Sequence, residues 1–177
     1  ITRLLEFRRV LFRSIMGLDM YLNVRKNISR IKSWSYEGGR TTSPEFEKAA
    51  EATGISKWEE PESIYGLEVQ AVAAYWRKQN AIHNWFVKNV QEGDDDCREY
   101  YVGQSQLEEL VDICDQVIAN PTMAEDLLPT QDGFFFGNTD YDEWYHEGIQ
   151  YTSKRLKELL NLISDDESVY FMYSSSW

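Results

Sequence analysis

Tyr75-Trp76-Arg77-Lys78-Gln79-Asn80-Ala81-Ile82-His83-Asn84-Trp85-Phe86-Val87 lies near the middle of the 177-residue chain. At helical spacing, Trp76, Asn80, His83 and Val87 recur at i, i+4, i+7 and i+11 and share one face, with Tyr75, Ile82 and Phe86 beside it. The expectation is a central helix within Gly66–Gln91, stopped by the polar turn Gly93-Asp94-Asp95-Asp96. Its apolar stripe carries Asn80 and His83. A buried polar group without a partner costs about 1–3 kcal/mol, so either neighbouring side chains satisfy these two or a ligand does.

Working outward, Leu18 to Val24 alternates apolar and polar residues, the period of a half-buried strand, with Leu18, Met20, Leu22 and Val24 on one side. A basic island follows: Arg25, Lys26, Arg30, Lys32 and Arg40, with Trp34, Tyr36 and Gly38-Gly39 among them. Two readings fit it, a solvated hairpin or an anion site in which Gly backbone N–H groups and Arg converge. Ser43-Pro44-Glu45 is a helix start, and that helix ends at Gly54. Glu99-Tyr100-Tyr101-Val102 reads as a short strand or an extended lead-in to the next helix. From Gln104, the apolar positions Leu107, Leu110, Val111, Cys114, Val117 and Ile118 define an amphipathic core helix with Cys114 packed inside. Asp132-Gly133 and Gly137-Asn138 frame Phe134-Phe135-Phe136, which reads as a short apolar strand. Thr139 or Asp140 then caps a long helix through Ile163, Asp165-Asp166 makes a turn, and Val169–Tyr173 is a final strand expected beside Leu18–Val24. The fold class is therefore α+β: a small, mostly antiparallel sheet with three main helices packed on it, as one domain over residues 16–177.

Aromatic residues make up 14% of the chain, which favours recognition surfaces as well as cores. The net charge of −12 argues against general nucleic-acid binding, which needs a basic face. No apolar run approaches the roughly 18 residues of a membrane span, and two cysteines read as free thiols make a reducing cytoplasm the expected compartment. Cys97 and Cys114 match no zinc or redox spacing, and neither metal nor cofactor is implied. Residues 1–14, ITRLLEFRRVLFRS, precede Met16 and resemble a translated linker scar, so residues 1–15 are set apart as a non-native or disordered leader. A basic amphipathic arm is the other reading. These fourteen residues carry four Arg and one Glu, net +3, which leaves −15 on the rest.

With those blocks in view, the chain resembles a family of small phage and prophage proteins. The likeness rests on Met16-Gly17-Leu18-Asp19-Met20-Tyr21-Leu22, on Tyr75-Trp76-Arg77-Lys78 with Asn80-Ala81-Ile82-His83 and Trp85-Phe86, and on Leu127-Leu128-Pro129-Thr130-Gln131 with Gly133-Phe134-Phe135-Phe136-Gly137. It spans nearly all of residues 16–177 and brings no catalytic residues with it. Phage carriage implies a counter-defence factor acting in the host cytoplasm.

Three functions are then open. The first is a homo-oligomeric protein that sequesters a nucleotide-derived immune signal without catalysis. Its expected ligand-binding residues are Trp76, Tyr101, Phe135 and Tyr141 for stacking, Arg40, Arg77 and Lys78 for phosphate, and Asn80, His83 and Gln131 for base or ribose edges. The second is an acidic inhibitor of a host defence protein such as a nuclease. The third is a hydrolase of a nucleotide signal using His83, with Cys97 as a possible partner.

Overall fold

The structure is a computed structural model that describes residues 17–35, 39–58, 60, 63–163 and 168–177. The expectations for the leader 1–15, for Tyr36 and Gly38, and for the Asp165-Asp166 turn lie outside the described residues.

The elements run β1 (Asp19–Ser29), β2 (Ile31–Ser35), β3 (Gly39–Thr42), α1 (Pro44–Thr53), β4 (Gly66–Arg77), α2 (Asn80–Asn89), β5 (Tyr100–Val102), α3 (Gln104–Ala119), α4 (Ala124–Leu127), α5 (Glu143–Ile163) and β6 (Val169–Ser176). The main sheet has the order β4-β1-β6-β5, with every neighbouring pair antiparallel, and β2–β3 forms a separate hairpin. This is the α+β fold the sequence implies, and β6 does lie beside β1, pairing Leu22 with Tyr173 and Lys26 with Val169.

Alternation decides which face is covered. Leu18, Met20 and Leu22 are fully buried, and so are Ala74 and Trp76 opposite them on β4 and Phe171 and Tyr173 on β6. Helices α2, α3 and α5 close this face with Ile82, Phe86, Leu107, Leu110, Cys114, Ile149 and Leu156. Burial pushes the Cys114 thiol far up, so it is an inert packing group. The opposite face carries Tyr21, Tyr75 and Tyr101, of which Tyr101 is 63% exposed.

Three expectations need correction. The first is the central helix: Gly66–Arg77 is strand β4, and the helix begins only at Asn80. Trp76 therefore shares no helical face with Asn80 and His83. It points into the core from the sheet, its indole Nε1 donating to Thr152 Oγ1 at 2.8 Å. The chain turns from strand to helix at Lys78, which is held at φ +55° while its N–H bonds Leu18 O at 2.8 Å. The second is Phe134–Phe136, which is a turn closed by Phe136 N–H on Gly133 O; only Phe136 is buried, and Phe134 is almost wholly exposed. Here close packing replaces strand pairing, because a Cβ on Gly133 would lie 2.5 Å from the Phe136 ring. The third is the cap of α5. The acceptor is Asp142, whose carboxylate takes the Tyr145 N–H at 3.0 Å and is held below the usual carboxylate range by that bond. Thr139 and Asp140 lie before it.

Candidate functional site

Helix α2 is buried on every side from Asn80 to Val87, and its polar residues clamp the neighbouring loops. Asn80 Nδ2 donates to Asn138 O at 2.7 Å and Phe136 O at 3.2 Å, while its Oδ1 accepts from Gln131 N–H at 3.2 Å. Asn84 Nδ2 donates to Pro129 O at 3.0 Å. Tyr145 OH, from α5, donates to Leu128 O at 2.9 Å. Together these side chains hold residues 128–138 where no backbone ladder does.

His83 is 0% exposed. Its Nε2 meets Asp95 Oδ2 at 3.0 Å and its Nδ1 meets Tyr173 OH at 2.8 Å. A carboxylate can only accept, so Nε2 carries the proton and Nδ1 accepts from the tyrosine. Asp95 Oδ1 in turn accepts from Trp177 Nε1 at 3.1 Å. Burial pulls the His83 pKa below the usual histidine value, against the pull of Asp95, so the ring is neutral at neutral pH. Cys97 is no activated partner for it. Partial burial and the charges of Asp95 and Asp96 push its thiol up, and both His83 nitrogens are already engaged. Among the described residues no three His, Cys, Asp or Glu side chains gather as metal ligands.

The open chemistry lies elsewhere, in a groove along the outer edge of β4. A hollow of about 250 Å³ is bordered by Lys78, Gln79, Asn80, Thr130, Asn138, Asp140 and Trp144, among others. A second, of about 290 Å³, shares Gln79 and Trp144 and adds Tyr75, Arg77, Glu147 and Tyr151. A third, of about 400 Å³, shares Tyr75 and Tyr151 and continues to Lys154, Arg155 and Glu158. Trp144 stands between the first two and is 53% exposed. Lys78 forms no ion pair among the described residues, whereas Arg77 pairs with Asp19 at 2.9 Å. Two glycines make room for these side chains. A Cβ on Gly17 would lie 3.1 Å from Lys78 Cε, and one on Gly137 would lie 3.4 Å from Lys78 Cβ.

The ten expected site residues thus separate. Lys78 and Asn80 border the first hollow, and Arg77 and Trp76 border the second. Of these, Asn80 is committed to the loop and Trp76 is 2% exposed. Gln131 and Tyr141 lie next to the hollow, Tyr141 OH accepting the Thr130 N–H at 3.4 Å. Phe135 is half-buried, and its carbonyl accepts the Leu18 N–H. His83 belongs to the core. Arg40 stands apart on the β2–β3 hairpin, beside Arg30, Thr41 and Tyr65, and Tyr101 stands on β5 at the other edge of the sheet. Neither joins the groove.

Sequence reasoning missed Gln79, Asn138, Asp140 and Trp144. One signal was available. Gly148 interrupts α5, and a mid-helix glycine marks a close approach. Here a Cβ would lie 1.9 Å from Gln79 Oε1, the side chain whose Nε2 donates to Trp144 O. Gly148→Ala is expected to expel the Gln79 side chain into the groove. Thermal unfolding of the variant should show a loss of about 1–3 kcal/mol, the range for overpacking.

The arrangement is that of a single α+β unit with a polar network centred on the buried α2 and an open groove beside it. Comparison with protein families, curated proteins and solved structures finds no match. No described helix is long and apolar enough to cross a membrane.

Proposed function

We propose that the protein is a phage-encoded counter-defence binding protein that takes a small anionic, nucleotide-like immune signal into the groove between β4 and α5 and holds it without consuming it. The observation that carries this reading is Lys78. Its ammonium is unpaired among the described residues, sits on a left-handed backbone, and faces a hollow walled by the half-exposed Trp144. A non-glycine residue in that conformation costs on the order of 1 kcal/mol, and such strain clusters at ligand sites. A base stacked on an indole gains about 1–3 kcal/mol, and a phosphate fits an unpaired ammonium. The two hollows that meet at Trp144 together reach the size of a small-molecule site. The phage setting rests on the family resemblance. Sequestration rather than hydrolysis is supported by the enclosure of His83.

The test is a thermal-shift screen against cyclic dinucleotides, cyclic oligonucleotides and cyclic ADP-ribose isomers, with mass spectrometry of the compound released on heating. A ligand at 100 times its dissociation constant adds about 2.7 kcal/mol of stability. The expected result is a shift with the ligand returned intact. Lys78→Glu is expected to lose it, while Arg40→Ala and Tyr101→Ala retain it. An altered ligand would overturn sequestration.

A second reading, an acidic inhibitor of a host defence protein, is favoured by the exposed Tyr75 and Tyr101 on the sheet face opposite the covering helices. No shift across the panel, together with capture of a host nuclease that Tyr101→Ala abolishes, would decide for it.

A further inference from the structure

The outer edge of β4 has no partner strand among the described residues. It is twelve residues long, against three for β5 at the other edge. A long, open edge invites pairing with another chain, and proteins usually block one with charge, proline or a covering element. This edge is blocked only in part. Arg155 Nε donates to Ala73 O at 2.6 Å, and Tyr151 OH sits 3.5 Å from the Tyr75 N–H. From Gly66 to Val72 no such cover is present among the described residues, and Val69 and Val72 are 49% and 56% exposed.

The charge pattern is the second observation. The chain is 27% charged and carries −12 overall, yet Gly66–Trp76 contains one charge, Glu68. That charge is answered inside the protomer by Arg25 at 3.8 Å and by Tyr170 OH. A highly acidic protein that keeps its longest edge nearly neutral has a surface suited to a copy of itself. The third observation is on α5. Trp144, Tyr151 and Leu162 fall at i, i+7 and i+18 on one face, and all are exposed, Leu162 by 80%.

We infer that β4 pairs antiparallel with β4 of a second copy, about a two-fold axis at Val69, to give a continuous eight-stranded sheet. The register is self-complementary. Val69 meets its own mate, Leu67 meets Ala71, Gly66 meets Val72 and Glu68 meets Gln70, so no like charges oppose. Helix α5 runs antiparallel to β4, as the Arg155–Ala73 and Tyr151–Tyr75 contacts show. At about 1.5 Å per residue, Leu162 lies about 10 Å beyond Arg155, and at about 3.3 Å per residue Val69 lies about 13 Å beyond Ala73. Leu162 therefore stands near the height of the axis, where the second copy arrives. A stable interface covers roughly 800 Å² per partner. Seven edge residues supply only part of that, and the exposed Leu162 end of α5 adjoins them as further apolar surface.

Sedimentation equilibrium of the full chain over a wide concentration range tests this. The expected species has twice the 20.8 kDa mass of the chain. Val69→Lys, at a half-exposed position, is expected to keep the circular dichroism spectrum and to weaken dimerisation about a hundredfold or more. In a Cys97→Ser background, Val69→Cys is expected to form a disulfide-linked dimer on mild oxidation, and Tyr101→Cys, on the other edge, is not. A chain that stays monomeric overturns the inference. So does a dimer that survives Val69→Lys or fails to cross-link through position 69.

Discussion

Trp76→Ala is expected to lower the unfolding free energy by about 3–5 kcal/mol, the cost of emptying a large, fully enclosed aromatic site. The residue is 2% exposed. Its ring packs on Phe86 of α2 at 5.9 Å and edge-on to Tyr151 of α5 at 6.4 Å, so one side chain on β4 touches two of the three covering helices. Its indole donates to Thr152, which itself donates to Gly148 O at 2.7 Å. In a chain of this length each kcal/mol moves the melting temperature by about 2–4 °C, so a fall of roughly 10 °C is expected in a calorimetric scan. Trp76→Phe keeps most of the buried area and gives up the hydrogen bond together with the volume of the second ring, at about 1–2 kcal/mol. Equal losses from the two variants would show that the hydrogen bond, and not the ring, joins the sheet to α5.

His83→Ala is the second large effect, at about 3 kcal/mol. The change opens a cavity at a site with no exposure and takes a partner from the buried Tyr173 hydroxyl. Asp95, partly exposed and still bonded to Trp177, turns to water at less cost. His83→Gln is expected to recover part of the loss, because an amide can still serve one of the two partners. The wild-type protein should also show a pH signature that the variants lack. The folded-state pKa lies below the unfolded value of about 6.5, so the unfolded chain takes up the proton first as pH falls. The stability tied to His83 is present in full above about pH 6.5. It is lost as pH drops from there toward the folded pKa, with a slope of at most about 1.4 kcal/mol per pH unit. Asp96, Asp115 and Asp142, whose pKa values are lowered, stabilise the fold in full above the ordinary carboxylate value of 3.8 and lose that contribution only at more acidic pH, outside this window. Chemical denaturation at pH 5 and pH 7 would measure the difference. A slope that persists in His83→Ala would place the titrating group elsewhere.

The strand β1, the amphipathic α3 and the capped α1 were legible because their signals are local: alternation, a 3.6-residue period, and Ser43-Pro44 before a run ending at Gly54. Strand β4 was not, for three physical reasons. Leu67, Glu68, Gln70, Ala71, Ala73 and Ala74 are helix formers by propensity, and the pairing offered by β1 overrides that. The register shifts between Leu22 and Asn23, leaving Ala73 unmatched, so the apolar alternation of β4 breaks partway. The turn into α2 is made by Lys78 at positive φ, where glycine or asparagine would have marked it.

The site was half legible for a related reason. Lys78 and Arg77 could be picked out as cations near aromatic residues. That Asn80 and His83 spend their hydrogen bonds on residues 128–138, Asp95 and Tyr173 depends on contacts across at least 12 positions, which no spacing reveals. Arg40 and Tyr101 drew notice by type alone, and the topology sends them to separate places.

The pairing of β1 with β6 also bears on how the chain is made. Asp19 meets Ser176, and Lys26 meets Val169. Strand β1 therefore waits for about 145 further residues before its central neighbour β6 exists, roughly 7 to 30 s at ordinary rates of translation. Until then β1 has only β4 beside it, and the three residues of β5 have nothing to pair with. Closing so long a loop makes for slow folding. For that interval the nascent chain carries the β6-facing edge of β1 unpaired, and rapid synthesis in a crowded cell would draw on chaperones to keep it from joining its neighbours on the polysome.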